Sequence, residues 1–316
     1  MSSTENAAGR PEGDGDAGRP ADGGDGGGNN GNNNNRENNS ALSGSSDGSG
    51  TAALQKKKSV LRLRERAIKE SQAALSRKVE TEVKLALQTL SLEPDHFDEV
   101  FAVYDAITGE YSTTICKAVS KKQRNDENLK RGTLVYGEIH FKTYALTFEK
   151  IKRLYGGLQS PGGVYYDIGS GSGKPVFASI LMHEFSSAVG IEILSGLHKV
   201  SLEMLEIWQE KKTEMSVSEK TKETIVDFVC GDITTYDWSD GDVCFANSTC
   251  FSNELMQQLA VTAAKMKPGS FFITFTRRLP SPHFEVLEYE RHLMSLGEAT
   301  VFIHRRKSEE GGEAKE

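Results

Sequence analysis

The sequence predicts an α/β fold in which a doubly wound, mainly parallel sheet is preceded by helices and closed by an antiparallel hairpin. Two observations predict the sheet: short apolar runs alternate with helical stretches after residue 160, and three alternate glycines follow the first run. Two strand-like runs around a late Ser-Leu-Gly-Glu turn predict the hairpin. A stretch without proline or glycine ahead of this core predicts the helical extension.

The 316 residues are expected to divide into five segments. Residues 1–52 are rich in Gly, Asn, Ser and Asp and contain few large apolar side chains. Such a segment cannot offset the roughly 1–2 kcal/mol per residue of backbone entropy that ordering costs, so we expect it to be disordered. A basic helical segment (53–92), a helical subdomain (93–160), the α/β core (161–307) and a disordered acidic tail (308–316) follow.

The charges of the chain are segregated. The formal net charge is −7, but residues 53–78 contain nine bases against two acids, a local net charge of +7. Leucine and isoleucine recur there every seven residues, which predicts one long helix or two that end before Pro94. Because the companion heptad positions are polar, a solvated basic helix is favoured over a two-stranded coiled coil.

Several classes of protein are excluded by what the sequence lacks. The four cysteines form no C-x-x-C pair and sit among apolar residues, so we expect buried thiols in a reducing compartment and no metal site. No charged and then apolar leader follows Met1, and no apolar run approaches the roughly 18 residues of a membrane helix. We therefore expect a soluble intracellular protein.

Residues 95–160 are expected to be mainly helical. Apolar side chains recur at spacings of three and four between Phe97 and Tyr104, and again between Tyr144 and Ile151. The polar stretch from Ser120 to Arg131 is expected to separate these helices.

The core is predicted element by element. In chain order we expect strand Val164–Ile168, helix Lys174–Phe185, strand Ala188–Ile193, helix Leu194–Lys211, strands Ile225–Cys230 and Val243–Ala246, helix Asn253–Met266 and strand Phe271–Thr276. This alternation is typical of a parallel sheet with helices on both faces. Phe284–Leu293 and Ala299–Arg305 are expected to form an antiparallel hairpin at the sheet edge. A doubly wound sheet closed by such a hairpin is the arrangement of class I, Rossmann-like methyltransferases.

The first core strand runs into a glycine cluster, formed by Gly169, Gly171 and Gly173. Glycine allows a sharp turn and lets a ligand lie against bare backbone at the mouth of a parallel sheet. A phosphate-binding P-loop is excluded because Pro175 follows Lys174 where Ser or Thr is needed, and the NAD fingerprint would need glycine at position 174. Acid-x-G-x-G-x-G, beginning at Asp167, is instead the pattern of an S-adenosylmethionine site. A glycine turn without a ligand is the alternative.

Two more acids follow neighbouring strands. Glu192 ends the second strand, where a carboxylate can accept hydrogen bonds from both ribose hydroxyls of a nucleoside, although it also suits a helix N-terminus. Asp232 follows the third strand, where it can accept from an adenine amino group while Ile233 packs on the ring; a turn or capping role is the alternative. Because Asp167 also ends a strand, the three acids together predict an S-adenosylmethionine site at the sheet's ligand-binding edge.

The loop after the fourth strand bears on the methyl acceptor. No proline follows Asn247, which disfavours adenine-N6 and glutamine as methyl acceptors. A small molecule remains an alternative acceptor. No His or Lys stands at an obvious general-base position, so an amine that ionises by itself fits better than an unactivated hydroxyl.

Five motifs together resemble one family. They are Leu134–Glu138, Tyr166–Gly173, Gly190–Glu192, Gly231–Asp232 and Phe245–Asn247. Over about residues 95–307 they resemble the catalytic domain of the disruptor-of-telomeric-silencing histone methyltransferases, which methylate lysine 79 of histone H3 in the nucleosome. The resemblance implies a nuclear protein that uses S-adenosyl-L-methionine and takes histone H3 in nucleosomes as its partner.

The resemblance also implies roles for individual residues. Tyr136, Gly137 and Glu138 would form a loop over the methionine end of the cofactor, and Asn247 would lie beside the methyl donor at the mouth of a lysine channel. The implied catalytic residues are Asn247 and Tyr136. The implied cofactor-binding residues are Tyr136, Gly137, Glu138, Asp167, Gly169, Ser170, Gly171, Gly173, Lys174, Glu192, Asp232, Ile233 and Asn247.

The implied mechanism is in-line displacement by a neutral lysine amine, assisted mainly by positioning and by an apolar channel that disfavours the ammonium form. Phe251 is a further candidate for the channel wall, and core packing is its alternative role. The chain departs from the family at Ser248–Ser252, where members usually carry a second Asn and an Asn-Phe-x-Phe-Gly continuation, and it lacks a tryptophan in the late segment. The alternatives are a class I methyltransferase of another protein or small amine, or a cofactor-binding chromatin module without turnover.

The basic segment is a candidate for DNA contact. Lys56–Lys58 and Arg62–Arg66 would neutralise phosphates without reading the base sequence. The lysine run equally suits a nuclear localisation signal or a solvated helix face. Aromatic side chains are absent from this segment, so base stacking is not expected.

Overall fold

The computed structural model of the protein describes residues 48–129, 134–294 and 297–308. The chain comprises two units, residues 1–58 and 59–316. The described helices are α1 (Gly48–Thr89), α2 (Asp98–Thr108), α3 (Thr113–Asp126), α4 (Phe141–Arg153), α5 (Lys174–Met182), α6 (Ser195–Lys211), α7 (Glu219–Glu223) and α8 (Asn253–Ala263). The strands are β1 (Val164–Ile168), β2 (Ser187–Glu192), β3 (Ile225–Cys230), β4 (Val243–Ala246), β5 (Phe271–Phe275), β6 (Phe284–Met294) and β7 (Gly297–Arg306).

The strands form one sheet in the order β3-β2-β1-β4-β5-β7-β6. Strands β1 to β5 are parallel, whereas β7 runs antiparallel to both β5 and β6. The predicted doubly wound sheet of the class I methyltransferase type, closed by an antiparallel hairpin, is therefore confirmed. The strand order reverses between β1 and β4, and such a reversal opens a crevice at the carboxyl ends of the strands.

The core lies on both faces of the sheet because successive side chains of a strand point to opposite sides. In β1, Tyr165 belongs to the cluster that contains Phe148 and Phe177, whereas Tyr166 belongs to the cluster that contains Trp238 and Met256. Each fully buried side chain of this size contributes roughly 1.5–3 kcal/mol of transfer free energy. The two clusters hold helices against both faces and leave the carboxyl edge open.

The predicted strands agree closely with the structure, and the helices differ more. Strands β3 and β4 have the predicted bounds, while α5 ends at Met182 because His183 adopts an extended backbone conformation. The short helix α7 is absent from the prediction. Strands that are buried on both faces are short continuous apolar runs, so their bounds are visible in the sequence, whereas helix ends depend on capping contacts.

The prediction of a separating stretch from Ser120 to Arg131 is wrong in its first part, because α3 continues to Asp126. Cys116 and Ser120 are buried on one side of this helix, while Lys121 and Lys122 are exposed on the other. The polar composition therefore belongs to the solvent face of an amphipathic helix. Residues 130–133 lie outside the described residues.

The basic segment is helical, as predicted, and its charged part is exposed. Lys56, Lys57 and Lys58 are exposed, and the helix becomes part of the core only at Val79 and Val83. The helix begins at Gly48 and so includes residues 48–52, which the sequence led us to expect as disordered. The predicted disorder of residues 1–47 and 309–316 concerns residues outside those described.

The cysteines are less uniformly buried than expected. Cys116 and Cys244 are buried, but Cys230 is exposed at the end of β3 and Cys250 is half-buried, and all four are free thiols. The expectation of buried thiols is therefore wrong for Cys230, which is exposed although it lies on the same face of β3 as the buried Val226 and Phe228. Within the described residues, no group of three or more His, Cys, Asp or Glu side chains is placed to hold a metal ion. None of the described helices is long and apolar enough to span a membrane.

Candidate active site

The carboxyl ends of β1, β2, β3 and β4 open into a cavity of about 530 Å³. This volume lies within the roughly 300–1,000 Å³ of small-molecule sites. All but one of the predicted site residues line the cavity: Tyr136, Gly137, Glu138, Asp167, Gly169, Ser170, Gly171, Lys174, Glu192, Asp232, Ile233 and Asn247. Gly173 is the exception, so the structure brings twelve of thirteen predicted residues together.

The glycine loop between β1 and α5 needs glycine for two physical reasons. Gly169, Gly171 and Gly173 all have left-handed backbone conformations, with φ of +80°, +56° and +85°. A Cβ atom on Gly171 would lie 2.5 Å from the ring of Tyr136, and one on Gly173 would lie 2.4 Å from the ring of Phe228. Glycine at position 171 therefore leaves room for Tyr136, while glycine at position 173 leaves room for Phe228 of β3 and does not line the cavity.

Asp167 presents a buried carboxyl group to the cavity. Its side chain is 1% exposed, and neither carboxyl oxygen has a hydrogen-bond partner among the described residues. Burial, with a further contribution from the negative charge of Glu192, raises the pKa of Asp167 well above its ordinary value. A buried polar group without a partner costs about 1–3 kcal/mol, so a ligand that donates a hydrogen bond here recovers that free energy.

Glu192 is fixed at the end of β2 by main-chain donors. The N–H of Gly171 donates to its Oε2 at 2.7 Å, and the N–H of Leu194 donates to its Oε1 at 2.8 Å. Burial raises the pKa of Glu192, while these backbone hydrogen bonds lower it. Its alternative role as an acid at a helix N-terminus is not present, because α6 begins at Ser195 and has no acidic side chain in its first turn. Each carboxylate oxygen keeps a further lone pair for a ligand.

Asp232 is more exposed than the other two acids. Its Oδ1 accepts hydrogen bonds from both the backbone N–H and the hydroxyl of Thr234, each at 2.8 Å. This is an Asx turn, so the predicted turn role is present while the residue also lines the cavity beside Ile233.

The loop at residues 134–139 covers one side of the cavity and is held at the start of α5. The Tyr136 hydroxyl donates to Glu138 Oε1 at 2.7 Å and lies 2.6 Å from Ser172 Oγ. Lys174 Nζ donates to both carboxylate oxygens of Glu138 at 3.0 Å. Burial and then the charge of Glu138 raise the pKa of Tyr136 well above its ordinary value, so its phenol stays protonated. The loop therefore has a defined position over the glycine turn.

The loop after β4 reaches the same covering loop from the other side. Asn247 Nδ2 donates to the carbonyl oxygen of Gly137 at 3.1 Å. Phe251 both lines the cavity and packs against the core cluster around Trp238, with its ring 3.2 Å from the Cβ position of Gly169. Both roles that the sequence left open for Phe251 are therefore present in the structure. Trp208 and Trp238 are fully buried in the core.

Several lining residues were not predicted from the sequence. They include Thr234, Thr249, the α8 residues Leu255 and Gln258, and the hairpin residues Met294, Gly297, Glu298 and Ala299. The start of α8 follows the carboxyl end of β4, so this position alone was a usable signal for Leu255. No sequence signal placed the hairpin tip, because its location depends on how β7 pairs with β5.

The family comparison matches the larger part of the chain. The family model described as "Histone methylation protein DOT1" matches residues 112–294. A curated protein from Dictyostelium discoideum, named histone-lysine N-methyltransferase, H3 lysine-79 specific, is 30% identical over 128 residues. That similarity covers 39% of this chain but only 7% of the Dictyostelium protein, so the chain spans a small part of its relative.

Solved structures with similar folds are more distant. An RNA methyltransferase from Salinibacter ruber in complex with S-adenosyl-L-homocysteine is 22% identical, with 49% of this chain and 87% of that chain covered and a TM-score of 0.34. A putative RNA methyltransferase from Pyrococcus horikoshii is 12% identical, with 60% and 98% covered and a TM-score of 0.39. Similarity at this level identifies neither a ligand nor a substrate.

Proposed function

Since the chain belongs to the histone methylation protein DOT1 family, we propose that it is an S-adenosyl-L-methionine-dependent protein lysine methyltransferase acting on histone H3 in nucleosomes, at lysine 79. One observation carries the cofactor part of this proposal. The buried carboxyl group of Asp167, without a partner among the described residues, faces the cavity at the topological switch point of the sheet. The three residues that the resemblance assigns to the methionine end of the cofactor, Tyr136, Gly137 and Glu138, line the same cavity.

The residues present fit a nucleoside with an amino-acid end. Glu192 offers two fixed carboxylate oxygens to ribose hydroxyls, and Asp232 with Ile233 forms a polar and apolar pair suited to adenine. At the opposite end of the glycine loop, Glu138 and Lys174 present opposite charges, which suits the charged amino-acid group. When bound, S-adenosyl-L-methionine supplies a methyl group on a sulfonium centre.

The other side of the cavity suits an amine acceptor. Phe245, Phe251 and Met294 provide apolar walls, and desolvation there disfavours the charged ammonium form of a lysine. Asn247 and Tyr136 supply the oxygens that can orient the lone pair of the neutral amine, because an amide or phenol oxygen accepts its N–H groups. The expected contribution of this chain to the reaction is positioning and exclusion of water rather than proton abstraction.

We further propose that the basic part of α1 contacts nucleosomal DNA and that the protein acts in the nucleus. Lys56–Lys58 and Arg62, Arg64 and Arg66 are exposed on this helix. Exposed bases at this density neutralise phosphates without sequence preference. Of these six, only Arg66 has an ion pair among the described residues, with Glu70 at 2.8 Å. The other bases are thus available to a polyanion.

Methyl transfer to a defined substrate tests the proposal. The full chain is incubated with radiolabelled S-adenosyl-L-methionine and, in parallel, reconstituted nucleosomes, free histone H3 or a panel of small amines, and the labelled site is located by mass spectrometry. Label at lysine 79 of nucleosomal H3 is the expected result. Label only on free histone H3 or on small amines would contradict the nucleosome as the substrate. Cofactor binding without any transfer would favour a chromatin module without turnover.

A further inference from the structure

A chain of three hydrogen bonds crosses the acceptor side of the cavity. Thr276 Oγ1 lies 3.0 Å from Thr249 Oγ1, and the Thr249 hydroxyl donates to Asn247 Oδ1 at 2.9 Å. Asn247 Nδ2 then donates to the carbonyl oxygen of Gly137 at 3.1 Å. These three hydrogen bonds thus join the end of β5, the loop after β4 and the covering loop.

Only one assignment of donors and acceptors fits these three hydrogen bonds. The Gly137 carbonyl can only accept, so it requires the Nδ2 side of the Asn247 amide and turns Oδ1 toward Thr249. The single proton of the Thr249 hydroxyl is used on Oδ1. The proton between the two threonine hydroxyls therefore comes from Thr276, and the amide of Asn247 has one orientation.

Thr276 reaches this position through an unusual backbone conformation. Its φ is +66°, in the left-handed region that β-branched residues avoid. The surrounding structure imposes the conformation: the Thr276 N–H donates to the carbonyl oxygen of Thr300 at 2.6 Å, just beyond the β5–β7 pairing. Such outliers concentrate at functional sites, where the neighbouring structure holds them in place.

Two residues of the loop that departs from the family pattern contact the end of β5 and the residue after it. Ser248 is completely buried, and its hydroxyl donates to the carbonyl oxygen of Phe275 at 2.6 Å. Ser248 and Thr249 therefore both bind the loop to the end of β5, next to the position where Asn247 lines the cavity.

We propose that Thr249 and Thr276 are positioning residues that fix the side-chain amide of Asn247 and so direct the free lone pair of its Oδ1 toward the acceptor amine. The inference rests on the proposed methyl transfer for its kinetic consequence. Its structural part, the restraint that the Thr249 hydroxyl adds on the Asn247 amide beside the Gly137 carbonyl, stands independently of that activity.

The test compares Thr249→Val, which removes the hydroxyl and keeps the shape, with Thr249→Ser, which keeps the hydroxyl. Thr89→Val on α1 is the matched control, since its exposed hydroxyl donates only to the carbonyl oxygen of Leu85 in the same helix and the residue does not line the cavity. The measurements are kcat on nucleosomes, cofactor Kd by calorimetry, melting temperature, and the ¹⁵N–¹H side-chain amide signals of Asn247 in selectively labelled protein.

Thr249→Val is expected to lower kcat about tenfold, the effect of one lost orienting hydrogen bond, with cofactor Kd changed less than about twofold. Its Asn247 amide signals should shift and exchange faster with water, whereas Thr249→Ser and the control should match the unmodified protein. Equal behaviour of the Val and Ser variants, or a fall in kcat that follows melting temperature in both, would overturn the proposal. If the unmodified chain transfers no methyl group, the proposed function fails, and the amide signals alone decide the positioning role.

Discussion

The cavity has two walls that are built in different ways. The cofactor wall, formed by Asp167, Glu192 and Asp232, stands on the ends of three parallel strands, and main-chain N–H groups of the adjacent turns hold the carboxylates of Glu192 and Asp232. The acceptor wall joins the loop after β4, the end of β5 and the hairpin tip, which are distant in sequence. Side-chain hydrogen bonds join the first two of these segments, and strand pairing places the hairpin tip. The first wall follows from the strand ends of the fold class, whereas the second depends on contacts between distant segments.

The largest effect is expected from Asp167→Ala on the cofactor wall. Loss of a buried carboxyl group that receives ligand hydrogen bonds should weaken S-adenosyl-L-methionine binding about 100-fold, or ~2.7 kcal/mol. Isothermal titration calorimetry measures the Kd, with Asp237→Ala as a control at an exposed acid that does not line the cavity. An Asp167→Ala variant with near-normal affinity would remove this residue from the site.

A smaller loss is expected when the covering loop is released. Lys174→Met removes both hydrogen bonds to Glu138 and the ion pair between these largely buried side chains. We expect about a tenfold weaker cofactor Kd, mainly through faster dissociation in stopped-flow measurements. Lys199→Met, which removes an exposed pair on α6, is the control. Equal dissociation rates for both variants would mean that the ion pair does not hold the loop.

The basic helix should influence substrate affinity and leave the cavity unaffected. Lys56→Gln with Lys57→Gln should weaken nucleosome binding a few-fold at low salt and reduce the slope of log Kd against log salt by roughly 1 to 2. The control pair is Lys121→Gln with Lys122→Gln, two exposed lysines on α3. At saturating nucleosome, the variant with Lys56→Gln and Lys57→Gln should have an unchanged kcat. A salt-independent loss would show that the first pair acts through structure rather than charge.

The smallest effect is expected on the stability of the ligand-free protein, through the buried carboxyl group of Asp167. Burial and the negative charge of Glu192 raise the pKa of Asp167 well above its ordinary value, so the folded state binds this proton more tightly than the unfolded chain does. Stability of the ligand-free protein should therefore fall as pH rises from about 4 through the folded pKa. Asp167→Asn should raise the melting temperature by ~3 °C at pH 8 and less near pH 4. A lower melting temperature for the variant at pH 8 would contradict the assignment of a destabilising buried charge.

The sequence predicts the cofactor wall well because its parts follow from local rules. Strand ends and glycine turns fix where Glu192 and Gly171 lie, and the two are joined by one hydrogen bond. The same local reasoning misassigned the polar part of α3, since composition does not reveal which face of a helix is buried.

The acceptor wall was only partly predictable. Asn247 follows from its place after β4, but Met294 and Ala299 reach the cavity through the register in which β7 pairs with β5. Likewise, no propensity assigns a left-handed conformation to a threonine such as Thr276, because tertiary contacts impose it. Long-range strand pairing and imposed strain are the two physical reasons why this wall needed the structure.

The most direct test of the two-wall account measures cofactor Kd and single-turnover methyl transfer side by side in Asp167→Ala and Asn247→Ala. We predict opposite outcomes: Asp167→Ala should lose affinity yet transfer methyl at saturating cofactor within about tenfold of the unmodified protein, whereas Asn247→Ala should bind cofactor within about threefold and lose at least about 30-fold in transfer rate. If both variants lose affinity and transfer rate in parallel, the cavity has one undivided site and the distinction between its walls is wrong.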